Sequence, residues 1–281
     1  MFLCAFMTIL SQVVPAFSDE FYQEPSQFEP LLVFMALRSA YGDLVEDMGW
    51  EEGELFFLIR GRRVFFKGGR MLFTAHLPQY ARYDPVLYRY VAGPLISIPR
   101  PVPYPYNRSN DLLVALIGET QREIVASCRW VPFLDHRVFV HEICAGALQR
   151  IESRLYAISR SSQEVRAYIN DIRIVFSRDG RKVDGTDNLS YHAYGLALDI
   201  VPRDYRGKQV YWRWSSVWNS SWERMPLSER WQPPQRVIEV FEENGFIWGG
   251  KWYHFDTIHF EYRPEILILN RLQFGEASVK E

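Results

Sequence analysis

At 281 residues the chain has room for one large domain, or for a main domain with a smaller companion. Hydrophobic residues make up 48% and charged residues 23%, a balance that excludes a disordered chain. A net charge of -2 gives no electrostatic footprint for nucleic acid or an anionic membrane surface, and no apolar run reaches transmembrane length.

The N-terminal MFLCAFMTILSQVVPAFSDEF has an apolar centre from Phe2 to Leu10, and Ala16 and Ser18 stand two apart before Asp19. That is the pattern of a cleaved export signal over residues 1–18, though it lacks a basic leading segment. Export to the periplasm or cell wall is the expectation. Cys4 lacks the small-residue setting of a lipid-anchored cysteine. Removal of the signal leaves Cys128 and Cys144, and the sequence leaves open whether they pair or stay as thiols.

Residues 19–93 are dense in aromatics and read as an accessory β-rich region. GELFFLIRG and RRVFFKGGRML form a hairpin turning near Gly61 and Arg62. Five prolines between Pro94 and Pro105 make residues 94–110 a linker or wrapping segment, since proline at that density supports extended chain. Asp111 is placed to cap a helix through LLVALIGETQREIVASC. A second helix, from about His141 to Ser159, repeats Leu148, Ile151, Leu155 and Ile158 at three- and four-residue steps. DIRIVFS alternates as a strand, and RDGRKVDGTDN is a polar loop. The tryptophans at 212, 214, 218, 222 and 231 read as a satellite core under an insertion, with a substrate-facing wall as the other reading. Pro233 and Pro234 introduce the helix PQRVIEVFEEN, and the chain closes on strand-like GFIWGG and KWYHFDTIHFEY.

The chemistry concentrates in SYHAYGLALDI, Ser190 to Ile200. Gly195 permits a tight turn that folds His192 back beside Asp199 on the strand that follows. Ala197 shares a strand face with Asp199 and leaves room beside the carboxylate. A catalytic zinc typically takes three protein ligands and keeps one position open, so a third is needed. FDTIHFEY supplies it in His259, with Asp256 three residues earlier on the same turn as a free carboxylate. Two imidazoles, one ligating carboxylate and a second carboxylate to take a proton make a hydrolytic zinc centre holding one zinc ion.

S-x-H-x-x-G-x-A-x-D followed by D-x-x-H-F-E resembles the zinc D-alanyl-D-alanine carboxypeptidases and L-alanyl-D-glutamate endopeptidases, the VanY-like peptidases of peptidoglycan. The match rests on Ser190, His192, Gly195, Ala197, Asp199, Asp256 and His259. FLDHRVFVHEICAGALQRIE resembles the family's first strand and long helix, so the resemblance covers about residues 111–272 and leaves a tail, 273–281. It implies His192, Asp199 and His259 as zinc ligands, Asp256 as general base, and peptidoglycan stem peptide as substrate. It also implies an arginine upstream of His192 that steadies substrate, either Arg178 or Arg181; Arg178 is favoured because it directly follows a strand. The fold expected is α+β: helices on one side of a small, mainly antiparallel sheet, with zinc in its open cleft. Glu261, Ser190 and Tyr194 are secondary candidates for supporting a ligand or touching substrate.

Asp135, His136 and His141 read as a surface strand, not a second metal cluster, and His254 as a residue lining the cleft or facing solvent. Two other functions fit the same residues: a non-catalytic zinc-stabilised module that binds wall peptides or a protein partner, and an amidase that splits peptide from glycan. The bond cut, D-Ala–D-Ala or L-Ala–D-Glu, and the oligomeric state stay open.

Overall fold

The computed structural model describes residues 28–99, 101, 107–183, 186 and 188–275. The expected export signal lies outside these residues, as do Cys4, part of the proline-rich segment and most of the tail.

Helix α1 (Pro30–Tyr41) starts on a proline, whose missing N–H costs nothing at a first helical turn, and ends where Gly42 turns to φ 59°. It buries Val33, Ala36, Leu37 and Tyr41, one helical stripe. Four antiparallel strands follow in chain order as a meander: β1 (Val45–Glu51), β2 (Glu54–Ile59), β3 (Arg62–Lys67) and β4 (Arg70–Leu72). Strand β2 buries Leu55, Phe57 and Ile59 and leaves the residues between them partly exposed, the period-two pattern of a sheet with one face on the core. The expected hairpin forms with Ile59 opposite Arg62, and Arg60 and Gly61 both take positive φ at the turn. Arg60 is fixed there by its Nη1, which donates to the carbonyl of Leu116 at 3.1 Å.

The single helix expected after Asp111 is two: α2 (Asp111–Leu116) and α3 (Gln121–Ala126). Gly118 at φ 140° breaks it, and Thr120 starts the second piece with a capping box. In that box the Thr120 hydroxyl accepts from the Glu123 amide, and the Glu123 carboxylate accepts from the Thr120 amide. Asp111 does not act as the cap. It is buried, and its Oδ2 accepts the amide of Phe73 and meets His76 Nδ1, both at 2.7 Å, which ties α2 to the meander.

The hairpin β5 (Cys128–Phe133) and β6 (His136–His141) leads into the long helix α4 (Glu142–Ser159), which buries Leu148, Ile151 and Leu155 as expected. Its N-cap is His141, whose Nδ1 accepts from the Ile143 amide at 3.1 Å. Helix α5 (Gln163–Asp171), capped by Ser162, runs into strand β7 (Ile172–Phe176). The remaining elements are β8 (Ala197–Pro202), α6 (Trp212–Trp218), α7 (Gln235–Glu243), β9 (Phe246–Trp248), β10 (His259–Tyr262) and α8 (Pro264–Phe274). Of KWYHFDTIHFEY only the last four residues are strand.

A second four-stranded sheet forms in the order β7-β8-β10-β9, antiparallel throughout. The fold is α+β, as expected. Four helices were not anticipated: α1, in a region read as β-rich, α5 and α6, in stretches given no helix, and α8, where the chain was read as closing on strands. Helices α1 and α8 pack against each other. One contiguous apolar core runs from Val33 and Leu37 through Phe57, Leu148 and Leu198 to Phe241, Phe260 and Leu269. No helix among the described residues is long and apolar enough to cross a membrane.

Candidate metal centre

Every residue of β8 is buried, so a carboxylate at Asp199 must find partners within the protein. Register supplies the first: Asp199 stands opposite His259 of β10. His192 comes from the other side, on a single helical turn, Tyr191–Tyr194, that precedes β8. Ser190 caps that turn, its hydroxyl accepting the His192 amide at 3.2 Å. Gly195 closes it in the left-handed region at φ 69°. The turn lies against the β5–β6 hairpin, with the Gly195 carbonyl accepting the His141 amide at 2.9 Å. A Cβ at 195 would stand 2.7 Å from that amide nitrogen and 3.0 Å from Cys128 Sγ.

Three atoms converge at the end of this arrangement. His259 Nδ1 is 2.8 Å and His192 Nε2 3.1 Å from Asp199 Oδ1, and the two nitrogens are 3.2 Å apart. Among the described residues this is the one group of His, Cys, Asp and Glu side chains close enough to share a metal ion. The far nitrogen of each ring is anchored. His192 Nδ1 lies 2.7 Å from the Ser177 carbonyl, which can only accept, so Nδ1 carries the proton and Nε2 turns its lone pair inward. His259 Nε2 donates to Glu261 Oε2 at 3.3 Å, leaving Nδ1 to face the centre. Two inward lone pairs and a carboxylate oxygen in contact need a cation between them, a proton or a metal ion. Anchoring the far nitrogen on a carbonyl or carboxylate is how metal-ligating histidines are oriented, and the donor set of two imidazoles and one carboxylate suits zinc.

The electrostatics agree. Burial works against ionisation of Asp199, but its contacts with the His192 and His259 imidazoles outweigh it and hold the carboxyl far below the usual range. Burial disfavours a charged His259, yet its bonds to Asp199 and Glu261 raise it to about 10, so in the metal-free protein this ring keeps the bridging proton. Burial would raise Glu261 too, but the hydrogen bond from His259 and the nearby Arg108 and Arg263 bring it down to about 2.

Asp256 sits on the turn leading into β10, where its carbonyl accepts the His259 amide at 3.3 Å. Its Oδ1 is buried with no hydrogen-bond partner. Burial first, and then the negative charge of Asp199, push its carboxyl up to about 7. An unpartnered carboxylate oxygen, poised near neutrality beside three converging ligand atoms, is suited to exchange a proton with a water.

The two arginines separate. Arg181 Nη2 lies 3.2 Å from Asp199 Oδ2, and its Nε pairs with Asp179 at 3.3 Å. Arg178, favoured from its position after β7, instead donates to the side chain of Gln121 and makes no contact with the triad. The strand end does fix Arg178, but on the face carrying α3. Tyr194 is buried, and its hydroxyl bonds the Asn110 side chain, so it packs. His254 stacks among Trp212 and Trp222 at 4.6 and 5.4 Å, and burial lowers it to about 4, a neutral ring. Of the tryptophans, Trp231 is buried and Trp214 and Trp218 are exposed, so the stretch is part core and part surface. Cys128 and Cys144 stand as free thiols, donating to the carbonyls of Ile124 and His141 at 3.2 Å each.

Sequence reasoning missed Ser177, because a backbone carbonyl carries no residue signature; it also missed Arg263, two residues on from Glu261, and Arg108, which reaches Glu261 from far along the chain. A family model described as D-alanyl-D-alanine carboxypeptidase matches residues 184–262. No curated protein and no solved structure matches the chain. The matched segment carries His192, Asp199, Asp256 and His259, and the resemblance read from the two motifs holds over it: residues 184–262 match a model of a peptidase family, the D-alanyl-D-alanine carboxypeptidases.

Proposed function

We propose that the protein is an exported zinc-dependent peptidase that hydrolyses a peptide bond in peptidoglycan stem peptides. The observation that carries this reading is the convergence of His192 Nε2, Asp199 Oδ1 and His259 Nδ1, with both far ring nitrogens anchored and Asp256 Oδ1 unpartnered beside them. Those three atoms would hold the ion. Zinc at that position supplies Lewis acidity, which acidifies the attacking water and polarises the scissile carbonyl.

The remaining work falls to the chain. Asp256 takes the proton of the attacking water and passes it to the leaving amine, its Oδ1 being buried with no other hydrogen-bond partner. Arg181, half exposed and turned toward Asp199, meets the oxyanion or a substrate carboxylate. Ser177 and Glu261 keep the two imidazoles from rotating.

The test is a digest of purified peptidoglycan analysed by mass spectrometry, with and without a chelator. New stem-peptide fragments are expected, shortened by a terminal D-alanine or cut after L-alanine, and they disappear when zinc is removed. Fragments that separate whole peptide from glycan would point to an amidase. Cleavage that survives complete zinc removal would sink the proposal.

A further inference from the structure

One side chain that reaches the site from the N-terminal part of the molecule, ahead of α2, is Arg108. It follows the proline-rich segment, and its own strand of chain is pinned to the N-terminal part of the molecule. Asp84 pairs with Arg108 in a parallel bridge, and the Asn107 amide donates to Asp84 Oδ2 at 2.6 Å. From there the guanidinium points inward. Its Nη1 is 3.9 Å from Glu261 Oε1, and its carbon stands 5.6 Å from the centre of the Tyr191 ring. Glu261 holds His259 through its other oxygen, and Tyr191 is the residue before His192 on the same turn. Arg108 thus touches the carriers of both histidines.

The charges around Glu261 show why a second cation matters. Arg263, fully buried, contacts Glu261 Oε1 at 3.3 Å and also donates through Nε to Glu265. Glu265 in turn accepts from Tyr41 of α1 at 2.6 Å. One arginine shared by two buried carboxylates leaves a net negative charge, and a buried carboxylate without a partner is strongly disfavoured. Arg108 makes the count even: two guanidinium groups for two carboxylates. With it in place, Glu261 Oε1 is occupied by cations and Oε2 is left for His259.

We propose that Arg108 is a positioning residue for the candidate metal centre, fixing Glu261 and through it the orientation of His259. The inference rests on the reading of His192, Asp199 and His259 as metal ligands only in its metal readout. The first measurement is therefore metal-free: imidazole ¹⁵N–¹H correlation spectra of the full chain. Arg108→Gln is expected to move the His259 Nε2 resonance and leave that of His136, at the turn end of the β5–β6 hairpin, in place. Arg108→Lys, which keeps a charge, should restore most of the shift. The second measurement is zinc affinity by chelator competition, together with the visible spectrum of the cobalt(II) form. Arg108→Gln is expected to weaken zinc about 10-fold and to change the cobalt bands, with Arg108→Lys between it and the parent.

Arg62→Gln, an exposed cation of the same N-terminal part, should change neither measurement. An unshifted His259 resonance in Arg108→Gln overturns the proposal. A shifted resonance in a protein that takes up no zinc supports the positioning role and removes the metal reading instead. A lower melting temperature with an unchanged resonance and unchanged zinc affinity would make Arg108 merely structural, and the proposal would be wrong.

Discussion

The molecule contains two four-stranded antiparallel sheets, and they differ in what they bury. The N-terminal meander follows chain order, and β2 alternates buried and half-exposed residues with only apolar side chains facing the core. The second sheet is built in the order β7-β8-β10-β9, and its three inner and final strands are buried along their whole length. Yet it is the second that carries Asp199, His259 and Glu261. A half-buried sheet can put its polar residues on the wet face at no cost. A wholly buried one cannot, so each polar residue there must be answered by a partner. The answers found here are a carbonyl, two guanidinium groups and a set of converging lone pairs. Buried polar residues mark chemistry where burial is complete, and that separates the scaffold from the site.

Substitutions sharpen this contrast because the two sheets should fail in opposite ways. The largest effect belongs to Asp256→Asn, which should lower kcat by about 10²- to 10⁴-fold while zinc binding persists. In the metal-free protein the same change should be stabilising. Burial and Asp199 raise the Asp256 carboxyl from its ordinary value to about 7, so the folded state resists ionising it. That penalty is absent below pH 4, grows as pH rises from about 4 to 7 and is constant above. The variant's gain should follow the same course and reach at most about 4 kcal/mol, as read from urea unfolding at several pH values. A loss of stability at neutral pH would mean that Asp256 Oδ1 has a partner in the folded protein.

Phe57→Ala, in the meander, should do the reverse. The ring is fully buried, and its removal should cost about 3–5 kcal/mol of stability, with the zinc affinity of the folded fraction unchanged. A matching fall in zinc affinity would erase the distinction between the two sheets. The smallest effect is expected for Trp50→Ala on β1, where the residue is 67% exposed: less than about 0.5 kcal/mol, and no change in activity.

The site was more legible in the sequence than the fold around it. His192, Gly195 and Asp199 lie within one turn and one strand, and His259 and Asp256 within another. Local periodicity therefore sufficed to place each side chain, and only the pairing of β8 with β10 had to be supplied. The β2–β3 hairpin was readable for the same reason. Helix α8 was not, because it buries Glu265 and Asn270 as well as Ile266 and Leu269 and so shows no clean apolar stripe. Helix α2 ended early because Gly118 turns to a φ that continues no helix, and Thr120 opens a new one. Of the two arginines, closeness to a strand favoured Arg178, whereas the loop after it carried Arg181 to Asp199. Arg108 lies more than 150 residues from Glu261 along the chain, and nothing in its own neighbourhood points there.

Gly195 has a consequence for anyone who would vary this protein. It touches no ligand atom, yet its conformation and the nearness of the His141 amide and the Cys128 sulfur leave no room for even a methyl group. In a saturation library scored for zinc binding, position 195 should behave as a single-letter position, as intolerant as the histidines it sets in place. Compensating changes should map to the facing hairpin at Cys128 and Val140, whose retreat would let a larger residue in. A designer moving the site to another scaffold would have to carry that hairpin along with the motif.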